Sequence, residues 1–225
     1  MIIGIIPARK NSKRIKNKNI KLLNGKPLIE YTIIEAKKSK LLDQIIVSTD
    51  SPIIKKISGM NGINVSKLRS KKLSSENVKM LSVLKNALIV NNLRKKAKTI
   101  VLLQPTSPLR KVEHIDKAIK IFDQEKADTL VSVCYTNVIS SESKIMIKNN
   151  KYLRFFNKKK DKFIKGKKYL IRNGPAILVT KASLILKNKL YGNKIIPFKM
   201  HNKFSLDINY HKDFRYAEKA IKKIN

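Results

Sequence analysis

Ile2-Ile3-Gly4-Ile5-Ile6-Pro7-Ala8-Arg9-Lys10-Asn11-Ser12-Lys13-Arg14, followed shortly by Lys18-Asn19, is the stretch that decides the fold. Its apolar run from Ile2 to Pro7 opens directly into a basic loop rich in amides and hydroxyls. A strand apolar along its whole length is buried on both faces, as in parallel sheets. Open α/β sheets bind ligands at the carboxyl ends of such strands, so the loop is expected to hold an anion, with nucleotide phosphate the first candidate. The spaced glycines and Gly-Lys-Ser/Thr ending of a P-loop are absent, and no dinucleotide fingerprint replaces them. Phosphate would therefore be held by Arg and Lys side chains with backbone amides, which is chemically sufficient.

Outward from this strand the pattern alternates. A helix is expected over 27–39 with Pro27 in its first turn, then a strand at Gln44–Ser48. Ser51-Pro52 reads as N-cap and first helical residue of a helix ending near Gly59. Strands are expected at 64–68, 99–104 and 129–134, with helices at 80–93 and 113–123. Two short strand-like runs over 143–156 flank Asn149-Asn150, a hairpin signal, and a basic segment, 158–168, follows. The alternation then resumes: strand 176–180, helix 181–187, strands near 195–198 and 204–208, and a helix over 212–224 with Phe214, Ala217, Ile221 and Ile224 facing inward. The fold class this gives is α/β, a Rossmann-like doubly wound and mostly parallel sheet. It forms a single domain, 1–225, with an inserted hairpin arm at about 138–172.

Composition narrows the function. The 225 residues are 42% hydrophobic, and no apolar run nears the roughly 20 residues of a membrane span. The N-terminus starts a strand and lacks a signal-peptide layout. A lone cysteine, Cys134, excludes an internal disulfide and fits a reducing cytosol, so a cytoplasmic location is expected. His114, His201 and His211 show no metal-ligand spacing. The 51 Lys+Arg against 15 Asp+Glu give a formal charge of +36, which raises the question of nucleic acid. The excess is nearly all lysine, spread end to end with abundant Ile and Asn, and no helix-turn-helix, zinc-finger or RNA-recognition signature accompanies it. Nucleic acid is thus not the expected partner, although such a field attracts anionic substrates.

Several motifs together carry a resemblance. The opening loop with Lys18-Asn19-Ile20 resembles that of the cytidylyltransferases that activate nonulosonic acids, the CMP-sialic acid synthetase family. Gly25-Lys26-Pro27-Leu28-Ile29, Ile46-Val47-Ser48-Thr49-Asp50, and Leu68-Arg69 with Leu73-Ser74-Ser75-Glu76 are similar to successive family segments. Leu102-Leu103-Gln104-Pro105-Thr106-Ser107-Pro108-Leu109-Arg110 is the strongest match, and Arg172-Asn173-Gly174 and Ser205-Leu206-Asp207-Ile208-Asn209 complete a series covering essentially the whole chain. The resemblance implies the fold of the nucleotide-diphospho-sugar transferases, with CTP and a nine-carbon 2-keto acid as substrates. It implies that Arg9 and Lys18 bring positive charge to the phosphates, with Asn11, Ser12, Lys13 and Asn19 shaping the nucleotide loop. Arg69 falls beside the cytosine pocket, Gln104 between cytidine and sugar, and Arg172 and Asn173 on the sugar side.

The resemblance also implies Mg²⁺, with Asp207 as catalytic metal ligand. Here the chain departs: the position two residues on, where the family has a second aspartate, holds Asn209. An amide oxygen can coordinate a hard cation but brings no charge. Glu76-Asn77-Val78-Lys79-Met80 likewise replaces a segment richer in hydroxyls. The competing reading is a homologue with reduced or no activity acting as a basic anion- or nucleic-acid-binding protein; an octulosonate cytidylyltransferase is a third. The family also implies a homodimer in which the arm and the basic loop serve the partner's site.

Overall fold

The computed structural model describes residues 1–136 and 141–224. In chain order its elements are β1 (Ile2–Pro7), β2 (Leu22–Leu23), β3 (Lys26–Pro27), α1 (Leu28–Lys37), β4 (Gln44–Ser48), α2 (Pro52–Met60), α3 (Lys71–Ser74), α4 (Met80–Val90) and β5 (Thr99–Leu102). Then follow α5 (Val112–Gln124), β6 (Thr129–Thr136), β7 (Ile145–Asn149), β8 (Tyr152–Phe155), β9 (Tyr169–Arg172), β10 (Leu178–Lys181), α6 (Ala182–Leu186), β11 (Ile195–Lys199) and α7 (His211–Ile224).

Among the described residues one sheet runs in the order β4-β1-β5-β10-β6-β9-β7-β8, with β11 also paired to β6. Strands β4, β1, β5, β6 and β11 point the same way, as the βα rhythm predicts. Strand β10 lies antiparallel between β5 and β6. Helices cover both faces, and β1 shows how. Ile6 joins Ile29, Ile33, Ile54, Ile115 and Phe122 on the side of α1, α2 and α5. Ile3 and Ile5 face the other way, onto Leu84 and Leu88 of α4 and Ile185 of α6. Each fully buried Ile contributes roughly 1.5–3 kcal/mol, so a strand buried on both sides anchors both halves of the core. At α2 the expected cap is present: Ser51 Oγ accepts from Ile54 N at 3.3 Å, with Pro52 next.

Two expected strands do not form. Burial alternates only over 62–66, with Ile63 and Val65 inside, while 66–68 are all exposed, and residues 64–68 make no ladder. A period of two reports alternating burial, and pairing requires a free sheet edge in register. They are tied instead by Ser66 Oγ, which donates to Asn91 Oδ1 at 3.0 Å, and at their end by Arg69 N, which donates to Thr49 O at 2.6 Å. Residues 204–208 also stay irregular after a 3₁₀ turn at Asn202–Phe204, because Ile208 N donates to Thr106 O at 2.8 Å rather than to a strand. The hairpin forms as read, turning at Asn150 with φ 51°. It is not a free-standing arm, however: β9 connects it to β6, and Leu153 packs with Met146, Leu170 and Ile195. The expected start of the arm near 138 lies outside the described residues, as does the side chain of Ile224.

One irregularity shapes the site. Strands β9 and β10 both run antiparallel to β6, but Val133 faces Arg172 while Val131 faces Leu178, so Ser132 stands opposite a bulge of 173–177. Ser132 Oγ donates to Asn173 Oδ1 at 2.6 Å and accepts from Ile177 N at 2.9 Å, fully buried. Ser132→Ala should leave Ile177 N unpaired and take from Asn173 Oδ1 one of its two donors, destabilising the protein by about 1–3 kcal/mol in urea unfolding. A change within 0.5 kcal/mol (about the scatter of surface substitutions) would mean the bulge is held by other contacts.

Candidate active site

The β1 loop, the α3–α4 segment, the turn after β5 and the 205–209 segment enclose a cleft of about 490 Å³ at the carboxyl end of the sheet. The loop after β1 is pinned at several points. Ala8 N donates to Ser48 O at 2.9 Å, Lys10 N to Asp50 Oδ1 at 2.7 Å, and buried Asn19 Nδ2 to Arg9 O at 2.9 Å. Asn17 adopts φ 54°, within the left-handed range Asn tolerates, and a 3₁₀ turn over Lys18–Ile20 follows. The loop is thus bent back on itself with its cations toward the cleft.

Of the residues expected from sequence, Arg9, Ser12, Lys13, Lys18, Asn19, Arg69, Gln104 and Asn209 line this cleft. Asn11, Asp207, Arg172 and Asn173 do not. Lys18 Nζ donates to Ile208 O at 2.7 Å, joining the β1 loop to the 205–209 segment. Its partial burial lowers its pKa; Asp207 opposes that shift, while Arg14 and Arg9 reinforce it. Burial likewise lowers the pKa of Arg69, against the pull of Asp50. Arg69 Nε donates to Ser74 Oγ at 3.0 Å and Nη1 to Ser48 O at 3.4 Å, and among the described residues Nη2 has no partner.

Asp207 sits just behind the cleft wall. Its Oδ2 accepts from Asn209 Nδ2 at 2.8 Å and lies 3.7 Å from Lys144 Nζ. Asn209 Oδ1 turns away and accepts from Arg14 Nη1 at 3.3 Å, and the Arg14 guanidinium rests 5.0 Å from the Tyr210 ring centre. A divalent cation would therefore meet one carboxylate and an amide presenting its NH₂ side; among the described residues no cluster of three His, Cys, Asp or Glu stands ready for a metal. One carboxylate is within what Mg²⁺ accepts when phosphates and water complete its octahedron. The donor set fits Mg²⁺ in that one-carboxylate form.

Asn173 is buried and fully used, donating to Ser205 Oγ at 3.1 Å and accepting from Ser132 and Ala176 N. Arg172 donates to Ser143 O at 2.7 Å and to Tyr191 Oη at 3.1 Å, over the Phe155 ring. Both face the interior or the hairpin, not the cleft. Sequence reading missed Arg14 and Lys144 as neighbours of the Asn209–Asp207 pair, and the Lys13–Glu76 ion pair at 2.9 Å across the cleft mouth. No local pattern links residues so far apart in the chain.

A family model described as cytidylyltransferase matches residues 3–225. An N-acylneuraminate cytidylyltransferase of Escherichia coli O18:K1:H7 is 32% identical over 220 residues, 96% of this chain but 51% of that protein. The chain thus spans about half the length of that relative. The post-translational flagellin modification protein B of Campylobacter coli is 30% identical, covering 100% of this chain and 96% of its own. Among solved structures, CMP:2-keto-3-deoxy-manno-octonic acid synthetase complexed with CTP aligns with TM-score 0.77 at 12% identity, covering 100% of this chain and 99% of the other. That likeness establishes the fold.

Arg9→Ala and Lys18→Ala should each weaken binding of inorganic tripolyphosphate at least about tenfold by calorimetry, with far-UV circular dichroism unchanged. Each removes a charge-assisted donor worth about 1.5–3 kcal/mol, and about 1.4 kcal/mol is a factor of ten. Wild-type affinity in both variants would show that the anion site lies elsewhere.

Proposed function

The chain belongs to the cytidylyltransferase family, and from that premise we propose that it transfers CMP from CTP to a nonulosonic acid, releasing pyrophosphate. The observation that carries the reading is one cleft lined together by Arg9, Lys18, Arg69 and Gln104. In this reading the Arg69 Nη2 donor meets the cytosine edge, which carries acceptors at O2 and N3. Gln104 carries no side-chain hydrogen bond among the described residues, and its backbone oxygen is fixed by Arg110 Nη1 at 3.1 Å, so its amide is available to the ribose and the sugar. The sugar's anomeric hydroxyl oxygen attacks the α-phosphorus. The bond from that phosphorus to the bridging oxygen breaks, pyrophosphate leaves, and the hydroxyl proton is released.

The chain's part is positioning and charge, as in phosphoryl transfer generally. Arg9 can hold phosphate oxygens bidentately, while Lys18 offers a point charge from a fixed direction because Ile208 O tethers it. Mg²⁺ would be held by Asp207, with Asn209 contributing only if its amide turns; when bound, it supplies positive charge shared among the phosphates. We also propose a homodimer in which the hairpin face meets a second copy, supported by the exposure of Tyr135, Phe155, Phe163 and Ile164 on or beside it. The buried, unpaired Cys134 is compatible with a cytoplasmic site of action.

Two measurements test this. Pyrophosphate release should require CTP together with a nonulosonic acid, with ATP, GTP and UTP at least about a hundredfold poorer, on the order of the discrimination that unpaired buried polar groups provide. Release from no combination in a panel of sialic, legionaminic and pseudaminic acids would reject the proposal. Asp207→Ala should nearly abolish turnover, whereas Asn209→Asp should lower the Mg²⁺ concentration giving half-maximal rate. The gain should be partial, because the new carboxylate would face Arg14; opposite unit charges about 4 Å apart attract by roughly 4 kcal/mol at an effective dielectric near 20, before solvation offsets part of it. An unchanged Mg²⁺ requirement in both variants would remove this pair from the metal site.

A further inference from the structure

Among the described residues the buried side-chain polar atoms without a hydrogen-bond partner are Thr106 Oγ1, Ser107 Oγ, Arg110 Nε and Arg172 Nε. They are not scattered. Three belong to the turn that carries Gln104, and the fourth ends β9 where the bulge begins. Native proteins pair nearly all such atoms, and an exception calls for a reason.

Ser107 is the most telling. It is fully buried, and its backbone is in use, N donating to Gln104 O and O accepting from Arg110 N, each at 3.3 Å. Only the hydroxyl is idle. Beside it stands the bare face of Gly174, where φ of +120° already demands glycine. A Cβ built there would lie 3.3 Å from Ser107 Oγ and 3.5 Å from Asp207 Cγ, so both groups converge on that face. The Ile208 N to Thr106 O bond at 2.8 Å fixes their two segments to each other. Asp207 Oδ2 is engaged by Asn209 and Lys144, while Oδ1 has no partner among the described residues. The hydroxyl and the carboxylate thus lie against the same glycine face, with a donor idle on one and an acceptor idle on the other.

We infer that Ser107 is a positioning residue for Asp207: its hydroxyl donates to Asp207 Oδ1 in the working enzyme and holds the carboxylate plane while Oδ2 gives up its present partners for the cation it would hold. The inference rests on the proposed nucleotidyl transfer. A buried hydroxyl with no partner weakens the fold, and its retention at such a position follows when function uses it. That separates this role from a structural one. A serine kept for stability would have a partner, and removing it would lower stability.

The test is Ser107→Ala, with Ser107→Cys as a near-isosteric variant keeping a weak donor. For Ser107→Ala we expect a Tm equal to or above that of the wild type, a Kd for CTP within twofold, and kcat at least about fivefold lower. The cysteine variant should fall between. A Tm several degrees lower would make the hydroxyl structural and overturn the inference, as would an unchanged kcat in a wild type that turns over CTP with a nonulosonic acid. A wild type that turns over no such pair would instead overturn the proposed function, and this inference with it.

Discussion

The guanidinium of Arg110 is the interaction on which the architecture of the site depends. It is wholly buried, and Nη1 donates to Gln104 O at 3.1 Å and Ala176 O at 2.7 Å while Nη2 donates to Thr32 Oγ1 at 2.7 Å. One side chain therefore ties the turn after β5, the bulge before β10 and helix α1 into a unit. Burial presses its pKa down to about 9, with Glu35 opposing, so the cation persists at neutral pH. A buried charge contributes little net stability, but losing it would strip Ala176 O and Thr32 Oγ1 of this donor and leave Gln104 O only Ser107 N, at a cost of about 1–3 kcal/mol for each acceptor left unpaired. What the residue provides is geometry, since no apolar side chain could hold two backbone oxygens from separate segments at fixed distances.

From that clamp the cleft follows in steps. The bulge held by Arg110 and Ser132 places Gly174 where Ser107 and Asp207 can approach its bare face. The turn held by Arg110 offers Thr106 O to Ile208 N, and Ile208 O in turn receives Lys18. Backbone contacts thus join β5, β10 and the first loop around one space. The charge arrangement is lopsided: Arg9, Arg14, Lys18 and Lys144 gather about two carboxylates, Asp207 and Asp213. In a chain of formal charge +36 an anionic substrate is drawn to the surface generally, and at this spot the partly buried Lys18 adds a cation whose burial works against its charge. The exposed Lys13–Glu76 pair is a weak tie of the kind phosphate can displace.

How much of this was legible in the sequence depended on the range of the interaction. Strand β1, its basic loop, the Ser51 cap and the Asn149-Asn150 hairpin are written in neighbouring residues, and each was readable. The bulge was not, because Ser132 and Asn173 define it only by meeting across two strands. Residues 64–68 and 204–208 misled for one reason: short runs with apolar residues imitate strands where the backbone bonds to loops instead, as Ile208 N does to Thr106 O. For the site, the motifs named the right segments but not the direction of each side chain. Asn173 and Arg172 lie in a matching motif, yet one completes the bulge and the other braces the hairpin.

Asn209 is where local chemistry and the resemblance pull apart, and the structure supplies a rationale for the amide. Its NH₂ donates to Asp207 Oδ2 and its oxygen accepts from Arg14, so one neutral side chain bridges an anion and a cation. A carboxylate at the same position could accept from Arg14 but would repel Asp207, unless a dication stood between them. Asp213 caps Asn209 N and Tyr210 N at 2.7 and 2.8 Å and fixes the backbone that carries the asparagine. Arg14, stacked on Tyr210, then brings to the cleft rim a permanent charge that needs no ion to supply it. Asn209 thus adds no charge of its own to this corner, and with Asp213 turned to the backbone, Asp207 is the carboxylate whose orientation the proposed chemistry must control.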